Sequence, residues 1–110
     1  MNECVKKYLA SHSPDIQELF VALRVMIYAS ITHDVEEKLW AKLPSYYVGD
    51  TFVRLIPFKD HINIEAQAVI RYKESLAAYK ITPKGMLQLY IGQDIPSDLL
   101  IQIFKETFNK

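Results

Sequence analysis

Residues 51–67 read TFVRLIPFKDHINIEAQ: two runs rich in β-branched and aromatic side chains, Thr51 to Phe58 and His61 to Gln67, that meet at Lys59-Asp60. Alternation of apolar and polar positions along each run is the period of a strand with one face buried. A turn at Lys59-Asp60 sets Phe58 opposite His61, Ile56 opposite Asn63 and Arg54 opposite Glu65 on one face. Val53, Leu55 and Pro57 then meet Ile62, Ile64 and Ala66 on the other. This register is self-consistent, because it places opposite charges directly across the strands and gathers the aliphatic residues on a single side. The aliphatic side calls for a layer of helices, and the mixed side is left open.

Upstream of the hairpin, Val35, Leu39 and Ala41 interleave with Glu36, Lys38 and Trp40, which predicts a first strand ended by Pro44. Downstream, Met86 to Ile91, between Gly85 and Gly92, predicts a fourth. The remaining segments carry a helical period. Asn2 or Glu3 opens a short helix to about Ser11, and Ser13-Pro14-Asp15 sets a cap, a first-position proline and an acidic second position at the start of another. Ile16, Leu19, Phe20, Leu23, Ile27 and Ile31 recur at its i, i+3, i+4 spacing as far as Thr32. Val69, Tyr72, Leu76 and Tyr79 predict a further helix ended before Pro83. Pro96-Ser97-Asp98 caps a last one whose buried stripe is Leu100, Ile103, Phe104 and Phe108. The order α-α-β-β-β-α-β-α predicts one α+β domain over residues 1–110, a two-layer sandwich with helices on one face of a mostly antiparallel four-stranded sheet.

Composition narrows the function classes. The chain has 110 residues, 50% of them hydrophobic, and a formal net charge of zero. That balance argues against a nucleic-acid footprint, which needs a basic patch to neutralise several phosphates. Cys4 is the only cysteine, so there is no internal disulfide, and a reducing cytoplasm is the expected compartment. The most apolar stretch, Leu19 to Ile31, is broken by Arg24 and is too short to span a bilayer. No signal-peptide core opens the chain, and Gly49, Gly85 and Gly92 are too isolated for a phosphate-binding loop.

Alternation assigns Glu36, Lys38 and Trp40, and later Gln88 and Tyr90, to the open face beside Ile56, Phe58, Arg54, His61, Asn63 and Glu65. Aromatic residues interspersed with arginine and amides have the composition of a binding patch. Leu43-Pro44-Ser45-Tyr46-Tyr47 adds two phenols beside Trp40. A hollow around Trp40, Tyr46, Tyr47, His61 and Lys84 is therefore a second reading, as a small-molecule sensor or a slow enzyme. The bland readings are that Trp40 packs, that His61 is a turn histidine, and that Lys84-Gly85 is a turn requiring glycine, although Lys84 could also hold an anion. His33-Asp34 with Glu36-Glu37 offers hard oxygen donors suited to iron, calcium or magnesium, but alternation points Glu36 and Glu37 to opposite faces. Cys4 and His12 lack a third member for nucleophilic catalysis.

The run Trp40, Lys42, Leu43-Pro44-Ser45-Tyr46, then His61-Ile62-Asn63, Tyr72-Lys73, Leu76, Tyr79-Lys80, Lys84-Gly85, Ile95-Pro96, Leu99-Leu100 and Ile103 resembles the YdhG-like family, domain of unknown function 1801. The resemblance extends over nearly the whole chain. It implies a frataxin-like α/β sandwich and an intracellular iron chaperone serving iron–sulfur or haem assembly machinery. It also implies an acidic helical region that handles iron and an exposed sheet, with a tryptophan, that meets the partner. Asp15 and Glu18, together with His33, Asp34, Glu36 and Glu37, are then the candidate iron ligands. Trp40, Tyr46, Tyr47, Arg54, Phe58, His61, Lys84 and Tyr90 are the candidate partner or ligand contacts. The expected activity is non-enzymatic binding by a monomer or weak homodimer, with no nucleic-acid or membrane partner.

Overall fold

The computed structural model describes residues 1–109. Helix α1 (Glu3–Leu9) opens at Asn2, whose Oδ1 accepts from the Cys4 amide at 2.8 Å and the Val5 amide at 3.4 Å. Helix α2 (Pro14–Ala29) starts as its sequence demands: Ser13 Oγ accepts from the Ile16 amide at 3.2 Å, and Pro14 needs no donor at the first helical position. It ends short of Thr32 because Ser30 turns back on it, donating its hydroxyl to the Ile27 carbonyl at 2.6 Å. Ile31 then packs on the core from outside the helix. Helix α3 (Ser97–Phe108) presents Leu100, Ile103, Phe104 and Phe108 to the core. Its start is a correction: no side chain caps it, and Ser97 Oγ donates backward to the Ile95 carbonyl. Asp98 serves the first turn only through its charge.

The sheet has six antiparallel strands where four were expected: β1 (Glu36–Trp40), β2 (Leu43–Val48), β3 (Thr51–Pro57), β4 (His61–Ala66), β5 (Lys80–Ile81) and β6 (Leu87–Tyr90), in the order β1-β2-β3-β4-β6-β5. The central hairpin has the expected register, with Arg54 opposite Glu65 and Ile56 opposite Asn63, and the Phe58 amide donating to the His61 carbonyl at 2.8 Å. Pro44 does not end the first strand; it sits second in β2, opposite Leu39. What it ends is the β2–β3 ladder, whose last pair is Ser45–Arg54, because proline has no amide to continue it. The β1–β2 turn was hidden because Ala41 and Lys42 both hold positive φ, 49° and 67°, where glycine or asparagine is the usual signal. The expected helix over 69–79 is instead a 3-10 helix, Gln67–Tyr72, followed by turns. Three bonds tie the segment to its surroundings: the Ala68 amide donates to Thr107 Oγ1, Tyr72 donates to Glu106, and Tyr79 donates to the Asp94 carbonyl.

One face of the sheet carries Val53, Leu55, Ile62, Ile64, Leu87 and Leu89, all fully buried, against Phe20, Leu23, Ile27, Ile103 and Phe104 of α2 and α3. The same face holds one ionic cluster. Glu37 accepts from Arg24 Nε at 2.6 Å and Nη2 at 3.2 Å, from the Tyr46 hydroxyl at 2.8 Å and from the Asn2 amide at 2.6 Å. One carboxylate therefore ties α1, α2, β1 and β2 together. Burial opposes its charge, but the bonds from Arg24, Asn2 and Tyr46 together prevail and hold Glu37 below the usual carboxylate range. Burial, then the bond to Glu37, push the Tyr46 phenol up.

Because the Glu37 pKa is lowered on folding, its contribution is complete above the unfolded value of about 4.3 and is lost as pH falls through the folded one. Glu37→Gln is expected to cost about 3 kcal/mol at neutral pH, since Arg24 and Tyr46 lose a buried acceptor. The loss of stability as pH falls below about 4.3 should become shallower in the variant. Denaturant titrations at stepped pH check both.

Candidate functional site

The other face of the sheet is not covered by helices, yet a charge is buried on it. Arg54 is only 5% exposed although it points away from the core. Its Nε donates to Ser45 Oγ at 2.8 Å, Nη1 to Glu65 Oε1 at 2.8 Å and Nη2 to the Tyr47 hydroxyl at 3.2 Å. The guanidinium also lies 4.3 Å from the Trp40 ring centroid and 4.2 Å from that of Phe52. Strand β3 supplies Arg54 and Phe52, β2 supplies Ser45 and Tyr47, β4 supplies Glu65, and β1 brings Trp40. A planar, delocalised cation is the side chain that can bond along its edge and stack on its flat sides at once. Trp40 stays 52% exposed, so its ring is oriented by the arginine yet open to a partner.

A second aromatic group occupies the far end. Phe58, His61 and Tyr90 form a continuous stack, with centroid spacings of 4.6 Å on either side of the imidazole. His61 Nδ1 donates to Asp60 Oδ1 at 2.7 Å, and that bond holds the exposed Asp60 carboxyl below its usual range. Lys80 lies over the Tyr90 ring at 5.7 Å, and Lys38 over Tyr47 at 4.8 Å. Between the two groups lies Asn63, opposite Ile56 on one side and Gln88 on the other. Asn63 is 8% exposed, and its Oδ1 has no hydrogen-bond partner among the described residues.

Of the expected contacts, Trp40, Tyr47, Arg54, Phe58, His61 and Tyr90 share this face. Tyr46 does not: its ring is fully buried on the helical side, bonded to Glu37 and edge-on to Tyr28. Lys84 lies apart at the β5–β6 turn. The expected hollow around Trp40, Tyr46, Tyr47, His61 and Lys84 therefore does not form, because β2 alternation turns Tyr46 and Tyr47 to opposite sides. Asn63 lies on the open face as expected, and Phe52 and Ser45 were the neighbours left unassigned. Alternation from Arg54 would have found Phe52, whereas Ser45 needed the concealed strand.

The iron ligands fare differently. Asp15 and Glu18 lie on α2 near Gly92, His33 lies beside the α2 end, Asp34 precedes β1, Glu36 pairs with Lys38 at 3.6 Å, and Glu37 is spent on Arg24 and Tyr46. Among the described residues no group of three histidine, cysteine, aspartate or glutamate side chains gathers as a metal site. A hard cation needs several converging oxygens, and this donor set does not fit iron. Nor is any helix among the described residues long and apolar enough to cross a membrane. Comparison with protein-family models, curated proteins and solved structures finds no match to this chain.

Arg54→Lys keeps the charge but removes the fork and the stack. It is expected to lower the unfolding free energy by roughly 2 kcal/mol. Denaturation followed by the fluorescence of Trp40, the only tryptophan, measures it. An unchanged midpoint would mean that the guanidinium contributes no more than an ammonium.

Proposed function

We propose that this chain is a non-enzymatic binding protein that docks a protein partner on the open face of its sheet. The observation that carries the reading is Asn63, whose buried Oδ1 lacks a donor in the middle of an aromatic surface. An orphaned buried acceptor costs about 1–3 kcal/mol, a cost that a partner's donor would remove. Around it, Trp40 and Phe58 are exposed aromatic groups, at 52% and 44%, held in place by Arg54 and His61 respectively. Preorganised aromatic anchors around a desolvated polar group are the usual composition of an interface hot spot.

The charges favour a protein over a nucleic acid. Arg54 is neutralised by Glu65 and Lys38 by Glu36, so the face offers little net positive charge to phosphates. The complementary surface presents an apolar or aromatic group to Trp40 and Phe58 and an N–H to Asn63. The YdhG-like resemblance directs the search toward iron–sulfur or haem assembly proteins, with the sheet rather than an acidic cluster as the working surface.

Asn63→Val should separate function from stability. The variant removes the orphaned acceptor, so it should unfold about 1 kcal/mol later than the parent. The partner is first identified by photocrosslinking from benzoylphenylalanine at position 58, with position 25 on α2 as control, and is then purified. Both Asn63→Val and Trp40→Ala should weaken its binding at least tenfold. Equal crosslinking from position 25, or unchanged affinity in both variants, would refute the assignment; crosslinking to a second copy of this chain would replace the partner with a homodimer.

A further inference from the structure

A separate hollow opens where the sheet meets the 3-10 helix. Its volume is about 460 Å³, within the range of small-molecule sites, and it is lined by Phe52, Glu65, Gln67, Ile70, Pro83 and Lys84 among others. The register explains the gathering. Val53 stands opposite Ala66 and Ile64 opposite Leu87, so continuing these rows brings Phe52 beside Gln67 and Gly85 beside Ala66. The β5–β6 turn is braced: the Gly85 amide donates to the Thr82 carbonyl at 2.8 Å, and the Met86 amide to Thr82 Oγ1 at 3.1 Å. Gly85 holds φ at +88°, which a side chain would strain, so Lys84 is presented from a fixed loop.

The wall chemistry is dipolar. Lys84 has no ion-pair partner among the described residues. Glu65 gives Oε1 to Arg54 and keeps Oε2 free of any hydrogen bond from the described residues, with the side chain one-third exposed. The lining also carries apolar surface. Ile70 is 58% exposed, although its neighbours Ala68 and Val69 in the same 3-10 helix are buried, and Phe52 is backed by the Arg54 guanidinium. Arg54 takes one oxygen of Glu65 and leaves the other as an acceptor for an ammonium, while Lys84 is open to a carboxylate, so a molecule carrying both groups gains a contact at each that a singly charged one lacks.

We infer that this hollow binds a small zwitterion with an apolar side chain, the chemical class of the amino acids: carboxylate on Lys84, ammonium on Glu65, and side chain on Phe52, Ile70 and Pro83. The hollow shares Phe52 and Glu65 with the Arg54 group, so the inference rests on that arrangement but not on the docking of a protein partner. The test is an NMR titration of the 15N-labelled protein with phenylalanine, 3-phenylpropionate and phenethylamine. Phenylalanine should give saturable shifts at the amides of Phe52, Gln67, Ile70 and Gly85, with each singly charged analogue at least tenfold weaker. Lys84→Glu, an exposed change expected to leave the fold intact, should abolish saturation, and Ile70→Ser should weaken it about fivefold. Equal binding of either analogue, saturation unchanged in Lys84→Glu, or no saturable shift at those amides would overturn the inference.

Discussion

The Trp40 end of the open face refers back to the Arg54 guanidinium. A charge buried to this degree is tolerable only when its donors are met and its flat faces are covered. Ser45, Tyr47 and Glu65 meet the donors, and the Trp40 and Phe52 ring centroids lie 4.3 and 4.2 Å from the guanidinium carbon. These five residues come from four strands, so satisfying one side chain fixes how β1 through β4 present their outer surface. The exposed tryptophan is consequently held in place rather than left as a loose apolar group. Lower entropy loss on docking is the functional return of that order.

The sheet thus carries an ionic knot on each side, with different duties. On the helical side Glu37 joins both N-terminal helices to the first hairpin, and its cluster includes the buried phenol of Tyr46. On the open side Arg54 arranges aromatic rings that remain accessible. Adjacent residues feed the two systems: Tyr46 and Tyr47 diverge to opposite faces of β2, one structural and one on the working surface. The unsatisfied Asn63 stands between the Arg54 group and the His61 stack, where local stability has been given up in the middle of an otherwise well-bonded face.

How much of this was legible in the sequence depended on how locally each signal was written. The Thr51–Gln67 hairpin read correctly because opposite charges and aliphatic alternation agree on one register. The Ser13-Pro14-Asp15 helix start read correctly because a cap, a proline and an acid coincide within three positions. Strand β2 was missed because its turn uses Ala41 and Lys42 where glycine or asparagine would announce it, and because Pro44 looks like a terminator. Losing that strand misplaced Tyr46 and concealed Ser45. The helical spacing of Val69, Tyr72, Leu76 and Tyr79 was real, yet Thr107, Glu106 and Asp94 draw the segment into a 3-10 turn and bends, contacts with no local signature. The acidic residues expected as iron ligands are scattered by the tertiary arrangement, which spacing alone does not reveal.

The most direct test of the central claim is the NMR signal of the Arg54 side chain in the unliganded protein. A guanidinium bonded to Ser45, Tyr47 and Glu65 and enclosed by Trp40 and Phe52 should show an Nε–H that exchanges slowly with water, separate Nη signals, and cross-relaxation to the Trp40 ring. Averaged Nη signals with rapid exchange and no contact to the Trp40 ring would contradict the account, because the open face would then lack the organiser on which its binding role depends.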